Sequence, residues 1–596
     1  MTVEGAAPLP EDVIDGTTPL EVTEEANRSR TRRLAFSTLT VMIAFAAAKG
    51  ISLLQTFIIA RTFGVGSEWD AFVTANRIPE LLFTLIAGGA LAHAFIPIFS
   101  GYLAQDDRTG AWRTASHVIN TIFTTTLIAS TIVFFLAPWL VANVVASGFT
   151  PAEQEQTVQL MRMLLVSTLI FSVSGIVMGI LQSFNHFLLP ALAPIMFDVG
   201  ILIGVLFLLE PFGVYGIAMG AVLGAALHLL IQVPGLIRFR ARWSPELGLN
   251  DPVLWRVIRL MLPRVAGLGV FSLNFIVMNN IASRLGTGSI SALDWGWRLM
   301  QIPQTLVGTA MGTVIFPTLA ALSEVGDEDG KRGAMSGALR FILIATIPAS
   351  VGLVLVGRPM ISLLEGGAFD ATASALVYST LQAFSLGLIV HSALEVVARS
   401  FYADKDTLTP LWAALGGAAI NLFLSFTLSG VTTAENTFTA YRLVDATFPA
   451  LGFRPEQGNV AGLAVANSLG VMFEVVVLLF VLRRRWHGAG ENSIARTVLQ
   501  ATFASLVMGL AILSVEALWR TFSPPLIFAI ANLGLSLGLS GLGSKTIWTV
   551  LQIGIEGVVG VIVFVVVAAL LRMKELIFLR DVVLRRTSRQ KLASAS

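Results

Sequence analysis

Ionisable side chains interrupt two long apolar segments near the start of the chain. Lys49 lies near the middle of the first segment, 35–62, and Arg77 lies about two turns into the second, 71–103, with Glu80 one turn later. A cation at the centre of a bilayer costs about 2.5 to 3.5 kcal/mol on insertion scales, so such a residue normally faces a polar cavity or a partner. These positions therefore predict a binding path for an anionic group.

Each cation also has a simpler interpretation. The ammonium of Lys49 could extend to the membrane interface, but half a helix at 1.5 Å per residue puts that interface about 18 Å away, beyond its reach. Arg77 could be neutralised by Glu80 at i+3. Arg298 occupies a similar place in the eighth apolar segment. We therefore interpret Lys49, Arg77 and Arg298 as substrate-binding candidates, and we count with them two nearby acids, Glu80 and Asp70.

Carboxylates inside other apolar segments suggest coupling to an ion. Asp198 and Glu474 have no evident partner nearby in the sequence, and a carboxyl there can be neutral, relay protons or bind sodium. Glu395 and Arg399, one turn apart, are expected to form an ion pair. The chain has no cysteine, and its six histidines lack ligand spacing, so we expect no metal site, no cofactor and no catalytic residues. A net charge of +2 gives no indication of nucleic-acid binding.

The composition is that of a membrane protein. Of the 596 residues 55% are hydrophobic and 13% charged, and the mean hydropathy is +0.78, far above that of soluble chains. With about 20 apolar residues per crossing, the sequence predicts an all-α polytopic membrane protein with about 14 transmembrane helices. The segments lie near 35–62, 71–103, 114–146, 158–184, 188–209, 213–237, 254–285, 290–322, 334–357, 373–402, 408–430, 459–482, 497–519 and 548–572.

Lysine and arginine are concentrated in alternate connections. Arginines precede the first segment at 28–33 and follow the sixth at 238–242 and the twelfth at 483–485, whereas Glu153 and Asp370 lie in connections with few cations. Cytoplasmic loops carry the excess of positive charge. The pattern predicts a multi-pass protein of the cell (inner) membrane with both termini cytoplasmic.

An internal repeat predicts how the helices are grouped. IARTFGVGS (59–67) is similar to IASRLGTGS (281–289), and both end odd-numbered segments; we expect Arg61 and Arg284 within them to be interface anchors. Two parallel repeats are typical of transporters with a central site, so we predict two six-helix lobes related by a pseudo-two-fold repeat, plus two C-terminal helices. The predicted regions are a disordered cytoplasmic tail (1–33), an N-lobe (34–240), a C-lobe (241–485), two added spans (486–575) and a cytoplasmic tail (576–596).

Five motifs carry a resemblance to a known family. They are DAFVTANRIPELLFTLIAGGALAHAFIPIF (70–99), NHFLLPALAPIMFD (185–198), WRLMQIPQTLVGTAMGTVIFPTL (297–319), LLEGGAFD (363–370) and VARSFYADKDTLTP (397–410). With these motifs in order over about 35–485, the chain resembles the MurJ/MviN family of lipid II flippases, within the multidrug/oligosaccharidyl-lipid/polysaccharide exporter superfamily.

The resemblance implies a site. Spans one, two, seven and eight would surround a cationic cavity, and the two extra helices would provide a groove for a prenyl tail. Lys49 stands where the family has an essential arginine, Asp70 matches the aspartate before span two, and Arg298 matches the arginine of span eight. The sodium site of some members is incomplete here, because span seven has no acid and span eleven offers only Asn421 and Ser425. We count Asn421 with Asp198 and Glu474 as possible coupling residues.

The sequence also departs from the family pattern. The arginine and aspartate of span one are Gln55 and Thr56 here, and paired arginines of span two are Phe83 and Thr84. Because the cavity would have fewer cations than in the family, the identity of the headgroup that the protein carries stays open. We expect a flippase for undecaprenyl-diphosphate-linked peptidoglycan precursor. The alternatives are a flippase for another prenyl-diphosphate-linked oligosaccharide and, less compatible with the cations, a drug/cation antiporter.

The resemblance further implies the surroundings of the protein. Its partners would be the lipid-linked oligosaccharide, membrane lipids and the cell-wall synthesis machinery. The driving force stays open between membrane potential and a coupled ion, since moving one charge across 100 mV is worth about 2.3 kcal/mol.

Overall fold

The computed structural model describes most of the chain. It covers residues 50–87, 89–184, 186–429, 460–488, 490–536 and 542–573, with only the backbone at 87–94, 262–264, 266 and 522–545. Lys49, the insert at 431–457 and both predicted tails lie outside the described residues.

The described residues form helices and contain no β-strand. Eleven of the helices are long and apolar enough to cross a membrane, which confirms the prediction of an all-α polytopic membrane protein. We number the fourteen helical segments α1 to α14 in chain order: Gly50–Phe63, Ser67–Ala104, Arg108–Val145, Pro151–Ser183, Leu188–Phe212, Tyr215–Arg238, Pro252–Ser283, Ser289–Glu324, Glu328–Ser362, Ala371–Ala403, Leu408–Leu428, Val460–Arg485, Glu491–Ser536 and Leu542–Leu570. In α2 the described parts are Ser67–Leu82, Phe83–Ala87 and Gly89–Ala104.

Helices α2 and α8 are interrupted in the same way. A π-helical turn occupies Phe83–Ala87 in α2 and Thr305–Thr309 in α8. Each follows a proline, Pro79 or Pro303, which removes a backbone hydrogen bond and bends a helix. This shared break agrees with the predicted correspondence between the second and eighth segments.

Local caps set the start of several helices. The side chains of Asp107 and Asp327 accept hydrogen bonds from the backbone N–H groups of Gly110 and Gly330, at 2.8 Å in both cases. Such caps satisfy backbone donors that have no partner inside the helix. Helix α8 differs, because the residue before it is Gly288, which has no side chain to cap with.

Small residues allow pairs of helices to approach closely. A Cβ atom on Gly200 of α5 would lie 2.2 Å from the Cα of Gly224 in α6, and one on Gly417 of α11 would lie 2.7 Å from the carbonyl oxygen of Gly470 in α12. Close backbone approach at glycines is typical of membrane helices. These contacts lie within the first six and the second six helices, respectively.

Helices α2 and α8 meet at one end and diverge toward the other. The part of α2 at Ser67–Leu82 packs on the part of α8 at Ser289–Gln304, whereas Gly89–Ala104 and Ala310–Glu324 have few contacts or none. The largest buried cluster includes Trp69 and Trp295. We call this the closed end of the molecule.

The structure corrects the predicted extent of the thirteenth segment. The sequence suggested a span at 497–519 followed by an apolar region interrupted by glycine and proline. Instead, α13 is helical throughout Glu491–Ser536. Proline in a membrane helix is tolerated where neighbouring groups satisfy the freed backbone, so the Pro524–Pro525 pair does not end the helix.

Candidate functional site

A cluster of charged residues lies between α2 and α8, close to the closed end. Asp294 Oδ2 accepts a hydrogen bond of 2.7 Å from Arg298 Nε, and Asp294 Oδ1 lies 3.9 Å from Arg77 Nη2. Arg77 Nη1 lies 3.8 Å from Glu80 Oε2. We call these four residues the charge cluster. Its cations, predicted separately from two halves of the sequence, share one carboxylate.

Helix α7 holds Arg77 in place. Arg77 Nε donates to Asn279 Oδ1 at 3.4 Å, and Asn279 Nδ2 donates to Thr74 Oγ1 at 3.0 Å and to the carbonyl oxygen of Val145 at 3.2 Å. The ring of Phe275 lies 5.6 Å from the Arg77 guanidinium. Arg77 is therefore fixed by α2 and α7 together.

Exposure divides the charge cluster into two pairs. The side chains of Arg77 and Asp294 are 15% and 8% exposed, whereas those of Arg298 and Glu80 are 49% and 55% exposed. Arg298 is therefore the more exposed of the two cations. Arg77 and Asp294 instead form the buried support behind it.

Asp294 was missed by the sequence analysis. It precedes Arg298 by four residues in DWGWR, the spacing at which opposite charges on a helix pair. That signal was present, but we considered Arg298 only as a free cation. The structure shows that Arg298 carries its own counter-charge, and that the same carboxylate is within reach of Arg77.

Asp70 lies in the closed end rather than in the charge cluster. Its Oδ2 accepts from the backbone N–H of Gly288 at 2.6 Å, and its Oδ1 accepts from the backbone N–H and hydroxyl of Ser291 at 2.6 and 2.5 Å. Asp70 thus caps α8 from another helix, in place of the side chain that Gly288 lacks. It is 1% exposed, so in this conformation no substrate can reach it.

Aromatic and backbone contacts complete the closed end. The rings of Trp69 and Trp295 stack with their centroids 5.3 Å apart, and Trp295 Nε1 donates to the carbonyl oxygen of Gly64 at 3.2 Å. The N–H of Ala368 donates to the carbonyl oxygen of Arg61 at 2.8 Å. The closed end therefore joins α1 and α2 to α8 and to the loop before α10.

Two arginines predicted as interface anchors also form hydrogen bonds within the protein. Arg61 Nη2 donates to the carbonyl oxygen of Leu363 at 3.2 Å. Arg284 Nε donates to Ser147 Oγ at 3.0 Å and its Nη2 to Asn280 Oδ1 at 3.1 Å. Arg61 and Arg284 thus connect segments 302 and 137 residues apart in the chain, and their role as interface anchors stays a prediction.

The possible coupling residues fall into two groups. Asp198 lies close enough to Arg298 for the two charges to interact. Asn421 is buried in α11, where its Oδ1 accepts from Ser425 Oγ at 3.0 Å and its Nδ2 lies 3.4 Å from Met278 Sδ.

Glu474 lies on the face of α12 that packs against Asn421 and Gly417 of α11. A Cβ atom on Gly417 would be 3.4 Å from the Cβ of Glu474, and Asn421 faces Gly470 one turn away on α12. The predicted ion pair of Glu395 and Arg399 is confirmed. The structure thus brings together Arg77, Glu80, Asp198 and Arg298, and puts the other described candidates elsewhere.

A family model described as "Lipid II flippase MurJ" matches residues 59–532 of this chain. Among curated proteins, the chain is 30% identical to a lipid II flippase MurJ of Burkholderia cenocepacia over 375 residues, 61% of this chain and 72% of that protein. It is 28% identical to a probable lipid II flippase MurJ of Vibrio cholerae over 532 residues, 86% of this chain and 94% of the relative.

Solved structures show a similar fold. The structure titled "Lipid II flippase MurJ, inward closed conformation" aligns with a TM-score of 0.68 and 22% identity, covering 91% of this chain and 100% of that one. An inward-facing multidrug resistance MATE transporter aligns with a TM-score of 0.58 and 15% identity, covering 74% of this chain and 94% of that one. At these identities the likeness concerns the fold alone.

Proposed function

We propose that this chain, which belongs to the MurJ family of lipid II flippases, moves undecaprenyl-diphosphate-linked peptidoglycan precursor across the membrane. The movement is from the cytoplasmic leaflet to the outer leaflet. The chain is a multi-pass membrane protein. Its substrate is lipid-linked, and its surroundings are membrane lipids. The observation that carries the proposal is the half-exposed Arg298, held beside a closed end by a buried carboxylate.

The charge cluster is suited to hold a diphosphate reversibly. A guanidinium binds phosphate oxygens in a planar, two-pronged geometry, and attraction is stronger in a narrow cavity of low dielectric than in water. Because Asp294 already neutralises part of the charge of Arg298, a diphosphate would bind less tightly than to a free arginine. Release at the other side of the membrane becomes easier for that reason.

Alternating access then requires the closed end to open. The contacts that must break are those of Asp70 with Ser291 and of Trp69 with Trp295. In our proposal α1–α6 and α7–α12 rock as the two predicted lobes around the charge cluster, as in transporters with paired repeats. Lys49, near the start of α1 in sequence, would add a further cation.

Orientation and partners complete the proposal. The excess of arginine in alternate connections supports cytoplasmic termini. In that orientation the closed end faces outward, and the wider separation of α2 and α8 faces the cytoplasm, where the precursor is loaded. We also propose that the cell-wall synthesis machinery supplies and removes the cargo.

Reconstitution with labelled lipid II tests the proposal. Wild-type protein should exchange lipid II between leaflets, and Arg298→Ala should lower the rate at least tenfold because the reachable cation is lost. Arg108→Ala is the matched control, since that exposed arginine lies outside the charge cluster. Equal rates for wild type and Arg298→Ala would contradict the assigned role.

A second cargo in the same assay addresses the alternative. Gln55, Phe83 and Thr84 replace arginines of the family, which favours asking whether another prenyl-diphosphate oligosaccharide is carried. Faster exchange of that lipid than of lipid II would make it the cargo. Repeating the measurement of the exchange rate with an imposed membrane potential distinguishes transport driven by the potential from transport coupled to an ion.

A further inference from the structure

The connection between α6 and α7 is fastened to α3. We call residues 239–251 the linker. Asn120 Nδ2 donates to the carbonyl oxygens of Ser244 and Glu246 at 2.7 and 2.8 Å, and the N–H of Ser244 donates to Ser116 Oγ at 3.1 Å. Thr121 Oγ1 donates to the carbonyl oxygen of Leu247 at 2.8 Å. The linker backbone is therefore held in one conformation, although it contains no helix.

Both carboxylates of the linker point toward one histidine. His117 Nδ1 lies 2.9 Å from Asp251 Oδ2, and His117 Nε2 lies 3.4 Å from Glu246 Oε2. Gly248 has φ +64°, and a Cβ atom there would lie 2.2 Å from the imidazole Cγ. The acidic side chains are thus engaged with α3 and do not neutralise the basic residues around them.

Two tryptophans at the linker present their rings outward. Trp243 and Trp255 are 66% and 53% exposed, yet their indole N–H groups are turned to the protein. Trp243 Nε1 donates to Asn120 Oδ1 at 2.8 Å, and Trp255 Nε1 donates to the carbonyl oxygen of Leu249 at 2.8 Å. Since the polar edge of each ring is already satisfied, the exposed part is hydrocarbon.

Five arginines lie close to these two tryptophans in the sequence and have no counter-charge among the described residues. They are all exposed, and none forms an ion pair or a side-chain hydrogen bond with the part of the chain that the structure describes: Arg238, Arg240, Arg242, Arg256 and Arg259. Arg332, Arg483 and Arg485, beside other helix ends, each pair with a carboxylate instead. Other exposed arginines without an ion pair among the described residues, such as Arg113, Arg358 and Arg496, lie singly, whereas these five lie together between 238 and 259.

We propose that the linker, with the adjoining ends of α6 and α7, is a binding surface for anionic phospholipid headgroups. Arginines beside a membrane attract anionic lipids, and aromatic rings are favoured at the interface between headgroups and acyl chains. A membrane is favoured over an acidic protein because α6 and α7 leave the bilayer at this point, so lipid is always within reach. The surface spans the junction of the two predicted lobes.

Hydrogen exchange of the linker tests this surface. The full chain would be placed in nanodiscs of phosphatidylcholine alone or with 30% phosphatidylglycerol. We expect peptides covering 239–251 to exchange several-fold more slowly with phosphatidylglycerol, and 0.5 M NaCl to remove the difference because salt screens exposed charges. An equal exchange rate in both lipids would overturn the proposal and would favour an acidic protein as the ligand of this surface.

Variants separate charge from folding. Replacing Arg238, Arg240 and Arg242 with glutamine should abolish the lipid dependence, while replacing the same three with lysine should preserve most of it. A control with Arg108, Arg483 and Arg484 changed to glutamine loses the same charge elsewhere and should respond like wild type. Loss of the response in the control, or its survival in the glutamine variant, would also overturn the proposal.

Discussion

Replacing Asp70 with asparagine should open the closed end. The carboxylate accepts three hydrogen bonds, from the N–H of Gly288 and from the N–H and hydroxyl of Ser291, at 2.5 to 2.6 Å. Bonds to a charged group contribute about 1.5 to 3 kcal/mol each. Asparagine keeps the shape of the side chain but removes its charge and turns an amide N–H toward a hydrogen-bond donor. The closed conformation should therefore lose about 3 kcal/mol relative to the open one, which lowers the ratio of closed to open molecules about a hundredfold.

Spin-label distances across the closed end measure this ratio. Because the chain has no cysteine, Glu68→Cys and Thr287→Cys can be labelled without removing others. Both residues are exposed, on the two sides of the Asp70 contact. Electron–electron double resonance should give a single short distance in the parent and an added longer distance with Asp70→Asn.

Asp107→Asn is the matched control. Asp107 also caps a helix, but the N–H that it accepts from belongs to Gly110 of the same helix. This change should leave the distance distribution as in the parent. An unchanged distribution in Asp70→Asn, or an equal change in both variants, would refute the view that Asp70 holds α8 from another helix.

Three further changes should alter stability, measured by thermal unfolding in detergent. Asp294→Asn removes the buried counter-charge of two arginines and should cost about 3 to 5 kcal/mol; a loss under 1 kcal/mol would show that the arginines need no partner. Gly64→Ala should lower the melting temperature, since a Cβ there would lie 2.1 Å from a carbonyl oxygen at φ +59°, whereas Gly267→Ala, with open space around it, should not. Lys331→Met breaks a buried pair of 2.8 Å and should destabilise strongly, but Lys405→Met, in an exposed pair of 2.7 Å, should not; the reverse order would contradict the burial argument.

Helix positions could be predicted from the sequence where they depend on local properties. The ends of the third, fourth, seventh and tenth segments lie within about seven residues of those observed. The fold class was confirmed because hydropathy and length determine whether a helix crosses a membrane. The extent of α13 was predicted wrongly, since the effect of a proline pair depends on surrounding helices that a linear pattern does not show.

The candidate site was predicted less completely. Arg77, Glu80 and Arg298 were singled out because a charge in an apolar segment is costly in any arrangement. Their mutual position was not predicted, and the roles of all three in substrate binding stay predictions. Asp294 was overlooked because its value as a partner depends on the approach of α2 to α8.

The sequence by itself determined that the chain is a polytopic helical membrane protein with cations inside its spans, because apolar length and the cost of a buried charge follow from consecutive residues. Only the tertiary structure decided which charges are paired and which remain reachable. Asp70 caps a distant helix through the N–H of Gly288, 218 residues later in the chain, and Asp294 pairs with arginines from two helices. The packing of helices that are distant in sequence determines these partners. Hydrogen bonds at 2.5 to 3 Å require atomic positions that no spacing in the sequence specifies.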